Sequence, residues 1–228
     1  METSRKMLRF HWLDNFKPLT VFWSILLLVD IALVVAQRYF PEVLNTSDNF
    51  LFSANYGAIA IYLLVCGILM ATSSFPLLMS FGIPRQKFYL NLIGTTVLLC
   101  AAMSLMQNMV VYVGYSVMQL SGITIEASIT PFLLLWYCQW TFYLLDMFLF
   151  ILLGTVFYRF GTLPGLITIA FYILVLNLVP GDLDFADNFE LAASGLSNVT
   201  LSHLFLGMTV VLIGIGWLLY RRAPVRTY

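Results

Sequence analysis

The sequence predicts an all-α, polytopic membrane protein with six transmembrane helices, and three observations carry that expectation. Of its 228 residues 61% are hydrophobic and only 10% charged, where a soluble domain carries about 25% charged residues. A larger core does not explain the deficit, because a water-facing surface would still have to be covered. The apolar residues fall into six runs of roughly the 20 residues that a bilayer span takes. The charges are also segregated. With the N-terminus inside, ten of the eleven Lys and Arg residues lie on inner segments and Arg38 alone lies outside. Glu42, Asp48, Glu126, Asp182, Asp184, Asp187 and Glu190 all lie outside. The Lys/Arg bias sets topology, so both termini and the connection at residues 80–89 are expected on the cytoplasmic face.

Residues 1–17 carry Arg5, Lys6, Arg9 and Lys17 around Leu8, Trp12 and Phe16. Those three apolar residues stand at i, i+4 and i+8, one helical stripe. The segment reads as an amphipathic helix on the cytoplasmic face, its cations reaching for lipid headgroups, or as a plain positive flank of the first span. Span 1 is expected at about 18–37; its apolar run exceeds the 7–15 residues of a signal peptide. Span 2 follows at 53–75, span 3 at 89–113 and span 4 at 132–157. Span 5, at 163–179, opens with Thr162 as a cap and Pro164 in its first turn, where a missing N–H costs little. An acidic, half-apolar outer segment at 181–199 precedes span 6 at 201–220. The whole chain, 1–228, is expected to form a single transmembrane domain.

Several chemistries are absent from the sequence. No Gly-x-x-x-x-Gly-Lys-Ser/Thr loop is present to cradle ATP phosphates, and no His-Glu-x-x-His to hold a catalytic zinc. Cys66, Cys100 and Cys138 lie singly in apolar runs, without the paired spacing of a metal site. No metal or cofactor is expected in the chain, and nothing in it suggests nucleic acid as a partner. Ser197 and His203 are close in sequence, but the flanking Gly195-Leu196-Ser197-Asn198-Val199 lacks the second glycine of a nucleophile elbow.

Two carboxylates fall inside spans, Asp30 and Asp146. An intramembrane carboxylate costs at least about 2.5 kcal/mol at a helix centre and needs a partner or a wet cavity. Asp30 is near the outer end of span 1, where it can reach the interface. Asp146 is mid-span, and Gln139, Tyr143 and Asp146 recur at i, i+4 and i+7 on one face of span 4. Span 3 carries a matching stripe of Ser104, Asn108 and Tyr112. Asn108, Tyr112, Gln139, Tyr143 and Asp146 are therefore candidates for lining a substrate path. The competing reading is glue, polar side chains bonding across the bundle.

The connection between spans 2 and 3 reads Phe81-Gly82-Ile83-Pro84-Arg85-Gln86-Lys87-Phe88-Tyr89. Two helix breakers precede two cations, framed by aromatic residues. This stretch resembles the Gly-x-Pro/Ser-Arg-basic-x-Phe/Tyr motif that opens span 3 in the permease subunits of type-two ABC exporters. Gln86 stands where that family has a second basic residue, with Lys87 one place on. The six-span layout, amphipathic start and half-apolar segment before the last span extend the resemblance over nearly the whole chain.

The resemblance implies a coupling helix at about 77–88, with Phe81, Gly82, Ile83, Pro84, Arg85, Gln86, Lys87 and Phe88 docking on a separate ATP-binding subunit. It implies two such ATPases, which bind the ATP and Mg, and a second permease copy, identical or a close paralogue. It further implies a bacterial cytoplasmic membrane setting. Compact members resemble exporters of small amphipathic peptides, of the lantibiotic or phenol-soluble-modulin kind; lipid, drug or ion export stays open. Outside the family, an immunity or sensor protein or a membrane-embedded enzyme also stays open.

Overall fold

In the computed structural model the residues described are 2–39, 50–120, 131–178 and 199–223. For 2–16, 37, 50–54 and 171–178 that description covers the backbone alone. All regular structure among them is helical: α1 (Glu2–Tyr39), α2 (Phe50–Leu69), a π-helical turn (Met70–Ser74), α3 (Phe75–Ser80), α4 (Arg85–Leu120), α5 (Phe132–Phe160), α6 (Thr162–Leu178) and α7 (Val199–Arg221). The expectation of an all-α chain holds. Among the described residues five helical segments are long and apolar enough to cross a membrane: Lys17–Ala36, Asn55–Ser80, Arg85–Leu120, Phe132–Phe160 and Val199–Arg221. The chain is a membrane protein by that measure.

Expected and observed bounds differ where the chain continues past its apolar run. α1 passes through Pro18 without interruption, so the basic N-terminal segment is continuous with the first span rather than a separate helix. The second crossing continues past Phe75 to Ser80. Its π-helical turn has a local cause. Pro76 offers no N–H to the carbonyl of Thr72 and its ring crowds that oxygen; one wider turn just before it accommodates both effects. α4 is 36 residues long, about 54 Å at about 1.5 Å per residue, and outruns a hydrocarbon core of about 30 Å. α6 has 17 residues, about 26 Å by the same rise, at the short limit for a span. The expected outer segment 181–199 lies outside the described residues except for Val199.

Residue pairs fix how the helices run. α2 and α5 are parallel: Tyr56 meets Gln139 near their starts, and Phe75 meets Tyr158 where α3 prolongs α2. α5 and α7 are parallel as well, with Tyr137 beside His203 and Arg159 bonded to Leu219. α4 runs against α5, from Val97 opposite Trp140 to Tyr112 opposite Phe132. α5 is the central helix. It packs on α2, the π turn, α4, α6 and α7, and 56% of its apolar window is buried, against 17% for α1 and for α7.

α2 and α5 approach each other closely, and glycine permits it. A Cβ on Gly154 would come within 2.9 Å of the Ala71 Cβ and 3.0 Å of the Ile68 Cα. One on Gly67 would meet the Met147 carbonyl and the Phe150 Cβ at 3.1 Å. Lipid tails are as apolar as leucine, so membrane helices associate through such backbone proximity rather than by expelling water. Replacing Gly154 with Leu should therefore separate α2 from α5 and lower stability by about 1–3 kcal/mol, the usual cost of overpacking. Gly94 has open space around it, so Gly94→Ala should be neutral or gain up to about 1 kcal/mol of helix propensity. Thermal unfolding of both variants in one detergent is the check.

Candidate functional site

Two regions bring together residues that the sequence singles out. The first is the end of the bundle where the cations collect. α3 closes with a Schellman turn: Gly82 N–H donates to the Met79 carbonyl at 3.0 Å and Ile83 N–H to the Leu78 carbonyl at 3.4 Å. Gly82 has φ +74°, a left-handed conformation open to glycine and costly for other residues. Pro84 follows, and its carbonyl accepts the first α4 hydrogen bond, from Phe88 N–H at 3.0 Å. No single helix spans 77–88. The expected coupling helix is divided into the end of α3, a turn and the first residues of α4, because Gly82 and Pro84 both stop helix propagation.

The eight candidate docking residues divide by exposure. Phe81, Gly82, Pro84, Gln86 and Lys87 are exposed, Ile83 and Arg85 are half-buried, and Phe88 is fully buried. Phe88 packs under the turn, edge-on to Phe75 at 5.3 Å between ring centroids. Phe75 also meets Tyr158 at 5.4 Å and Tyr220 at 5.0 Å. Arg85 reaches across to α7, its Nη1 donating to the Arg221 carbonyl at 2.8 Å. Arg159 does the same for the Leu219 carbonyl at 3.2 Å. The last carbonyls of a helix have no partners within it, and here two arginines from other helices supply them. Tyr89 adds a third tie, its hydroxyl donating to the Ile213 carbonyl at 2.6 Å.

The second region is polar and lies inside the bundle. Gln139 Nε2 donates to the Tyr56 hydroxyl at 3.1 Å, and Gln107 hydrogen-bonds to the same tyrosine, so α2, α4 and α5 meet at one phenol. One turn further along α5 is Tyr143, fully buried, and then Asp146. Tyr143 lies within electrostatic reach of Tyr56, Asp146 and Cys100. The Cys100 thiol points at the Tyr143 carbonyl, 3.4 Å away, and at the Met147 sulfur, 3.7 Å away. Asn108 is fully buried on α4 and its amide donates to the Ser104 carbonyl of its own helix at 3.0 Å. Ser104 Oγ donates in turn to the Trp136 carbonyl at 2.9 Å. Tyr112 is half-buried and packs edge-on against Phe132, with centroids 5.3 Å apart.

The structure thus divides the candidate residues between glue and something else. Ser104, Trp136 and Trp140 are glue: the two indole N–H groups donate to the Ala101 and Val97 carbonyls, tying α5 to α4. Asp30 is glue too. It is buried, and both its carboxylate oxygens accept from Asn55 Nδ2, at 2.9 and 3.1 Å. The expectation that Asp30 reaches the interface is corrected by that pairing, which holds it inside. Asn108 Oδ1, Gln139 Oε1, the Tyr143 hydroxyl and Asp146 Oδ2 are different: all four atoms are buried and lack a hydrogen-bond partner.

Asn55 and Tyr56 were missed from sequence. The signal was present as two adjacent polar residues at the start of span 2, but they read as the polar edge of an apolar run.

Removing Asn55 should orphan a buried carboxylate, so Asn55→Ala should cost about 1–3 kcal/mol. Asp30→Asn keeps an acceptor for the Asn55 amide and should cost less. Chemical or thermal unfolding of the two variants side by side decides this, and equal losses would contradict the pairing.

No protein-family model matches the chain, and no match to a curated protein or to a solved structure was found.

Proposed function

We propose that the chain is the membrane-spanning permease subunit of an ATP-driven exporter, worked by a separate ATP-binding subunit that docks on the turn at 81–87. The observation that carries this reading is the character of that turn. It combines an exposed phenylalanine, an exposed lysine and a left-handed glycine at the basic end of the bundle. Immediately behind it the bundle is tied tightly together. Phe88 is anchored in the aromatic cluster, and Arg85, Tyr89 and Arg159 hold α7 by its carbonyls. A load applied at the turn would therefore pass to α3, α4 and α7 as one unit rather than dissipate in a loose loop.

The parallel course of α5 and α7 supports a sixth crossing. α5 ends at the basic end, and α7 starts at the opposite end beside Tyr137. Gly161 and Val199 therefore lie at opposite ends of the bundle, and α6 starts from the first of them. Both termini then belong on the cytoplasmic face, with the turn at 81–87. In this reading a second permease copy completes the transporter, and the polar groups on α4 and α5 line the route of a small amphipathic peptide. Nucleotide binding by the ATPases would favour one bundle state over another through its differential affinity for the two.

The test separates docking from folding. Arg85 caps α7, so its loss harms the fold whatever its other role. Phe81 and Lys87 carry no such duty. The combined substitution Phe81→Ala and Lys87→Glu should leave thermal stability within about 0.5 kcal/mol of the parent, as exposed positions do. It should also abolish copurification of an ATP-hydrolysing subunit from native membranes. Full transport by the purified chain with no such subunit present would overturn the reading.

A further inference from the structure

Asp30 and Asp146 both lie in apolar helices, the first buried and the second half-buried, and the bundle treats them differently. Asp30 has an amide donating to both its oxygens. Asp146 Oδ2 is buried and receives no hydrogen bond. Nor does any described side chain supply a countercharge. Among the residues whose side chains are described, Lys17 opens the first membrane-span segment, and Arg38, Arg85, Lys87, Arg159, Arg221 and Arg222 lie at or near helix ends. The titratable groups near Asp146 are the Tyr143 phenol and the Cys100 thiol, neither of which supplies positive charge. On the same α5 face stand the Tyr143 hydroxyl and Gln139 Oε1, and on α4 stands Asn108 Oδ1, all buried and without hydrogen-bond partners. Three of these four atoms are carbonyl or carboxylate oxygens, which accept and cannot donate. The column therefore has more accepting oxygens than donors, the Tyr143 hydroxyl being its one unmatched donor, and no described residue brings it a positive charge.

We propose that Asp146, with the Tyr143 hydroxyl one turn above it, binds a small monovalent cation, an alkali-metal ion or a primary ammonium group, which enters along the Gln139–Asn108 oxygens. One carboxylate balances one positive charge. A divalent ion would leave net charge inside the bilayer, where charge is expensive. Hard oxygen donors suit alkali ions, and an ammonium group carries three N–H donors that the same oxygens can accept. This proposal rests on reading the column as a ligand path rather than as helix glue.

The experiment uses the full chain in nanodiscs of zwitterionic lipid, at constant ionic strength made up with choline chloride. Unfolding is followed by tryptophan fluorescence while NaCl, KCl or methylammonium chloride replaces choline. A ligand of the folded state at a hundredfold excess over its Kd should raise Tm by about 5–10 °C for a chain of this size. The expected result is a saturable rise with at least one of the three salts, with the metal and ammonium arms telling the two sources apart. Asp146→Asn should abolish the rise without lowering Tm in choline, because it removes charge and keeps shape. Tyr143→Phe should weaken the apparent affinity about tenfold or more while leaving Tm in choline equal or higher, since it deletes a buried hydroxyl with no partner.

The same curve in all four salts would overturn the proposal and leave a protonated or water-bound structural acid. So would a rise that persists in Asp146→Asn. Should Asp146→Asn instead fail to fold, the Tyr143→Phe titration decides alone, and an unchanged affinity there also overturns the proposal. None of these measurements involves an ATPase, so loss of the exporter reading would not alter them. Conversely, a transporter impaired by Asp146→Asn without any cation response would keep the path and discard the cation.

Discussion

The close approach of α2 and α5 is the constraint on which the rest of the bundle depends. In a bilayer no water is expelled when two apolar helices meet, so what holds them is the number of atoms brought into van der Waals range and the polar bonds closed between them. Gly67 and Gly154 let the two backbones nearly touch. That proximity sets the register in which Tyr56 faces Gln139 and Phe75 faces Tyr158. The polar junction at one end and the aromatic cluster at the other are both consequences of one glycine-lined crossing.

With α5 fixed, the remaining helices settle around it by a different mechanism. α4 is tied on by indole and hydroxyl donors that reach into backbone carbonyls. α7 is held by its last turns, through Arg85, Arg159 and Tyr89. α1 is the least enclosed, joined through the Asp30–Asn55 pair and through ring contact between Phe22 and Tyr62 at 4.6 Å. Each hydrogen-bonded tie satisfies a side-chain donor that would otherwise be stranded in hydrocarbon. Other buried atoms, Trp23 Nε1 and Thr96 Oγ1 among them, are unmatched too, but the unmatched oxygens on α5 include a carboxylate.

The two ends of the bundle are therefore unlike in mechanical character. At the basic end, aromatic rings and arginine caps bind α3, α4, α5 and α7 into one block around an exposed turn. Toward the middle, α5 carries polar groups that are packed but unmatched. A π-helical turn sits between the two, in the helix that ends at the exposed turn. Wider turns of this kind mark places where a helix departs from regular bonding. That arrangement suits a protein in which displacement at one end must reach polar groups deeper in the bundle.

The sequence by itself determined the solvent, the helical class and the turn. Composition alone requires a bilayer, and a bilayer leaves helices as the structure for long apolar runs. Gly82 and Pro84 stop the chain where it stops, since left-handed φ and a missing N–H are local properties. Exact helix ends were less legible, because a helix continues through polar residues once its neighbours hold it, as α4 does on both sides of its apolar run. What tertiary structure decided was the role of each polar residue. Asp30 and Asp146 look alike in sequence, two carboxylates in apolar runs, and Arg85 reads as a surface cation. Their roles depend on whether another helix brings an amide, a carbonyl or nothing into hydrogen-bonding distance, and no pattern within a single helix records what its neighbour will present.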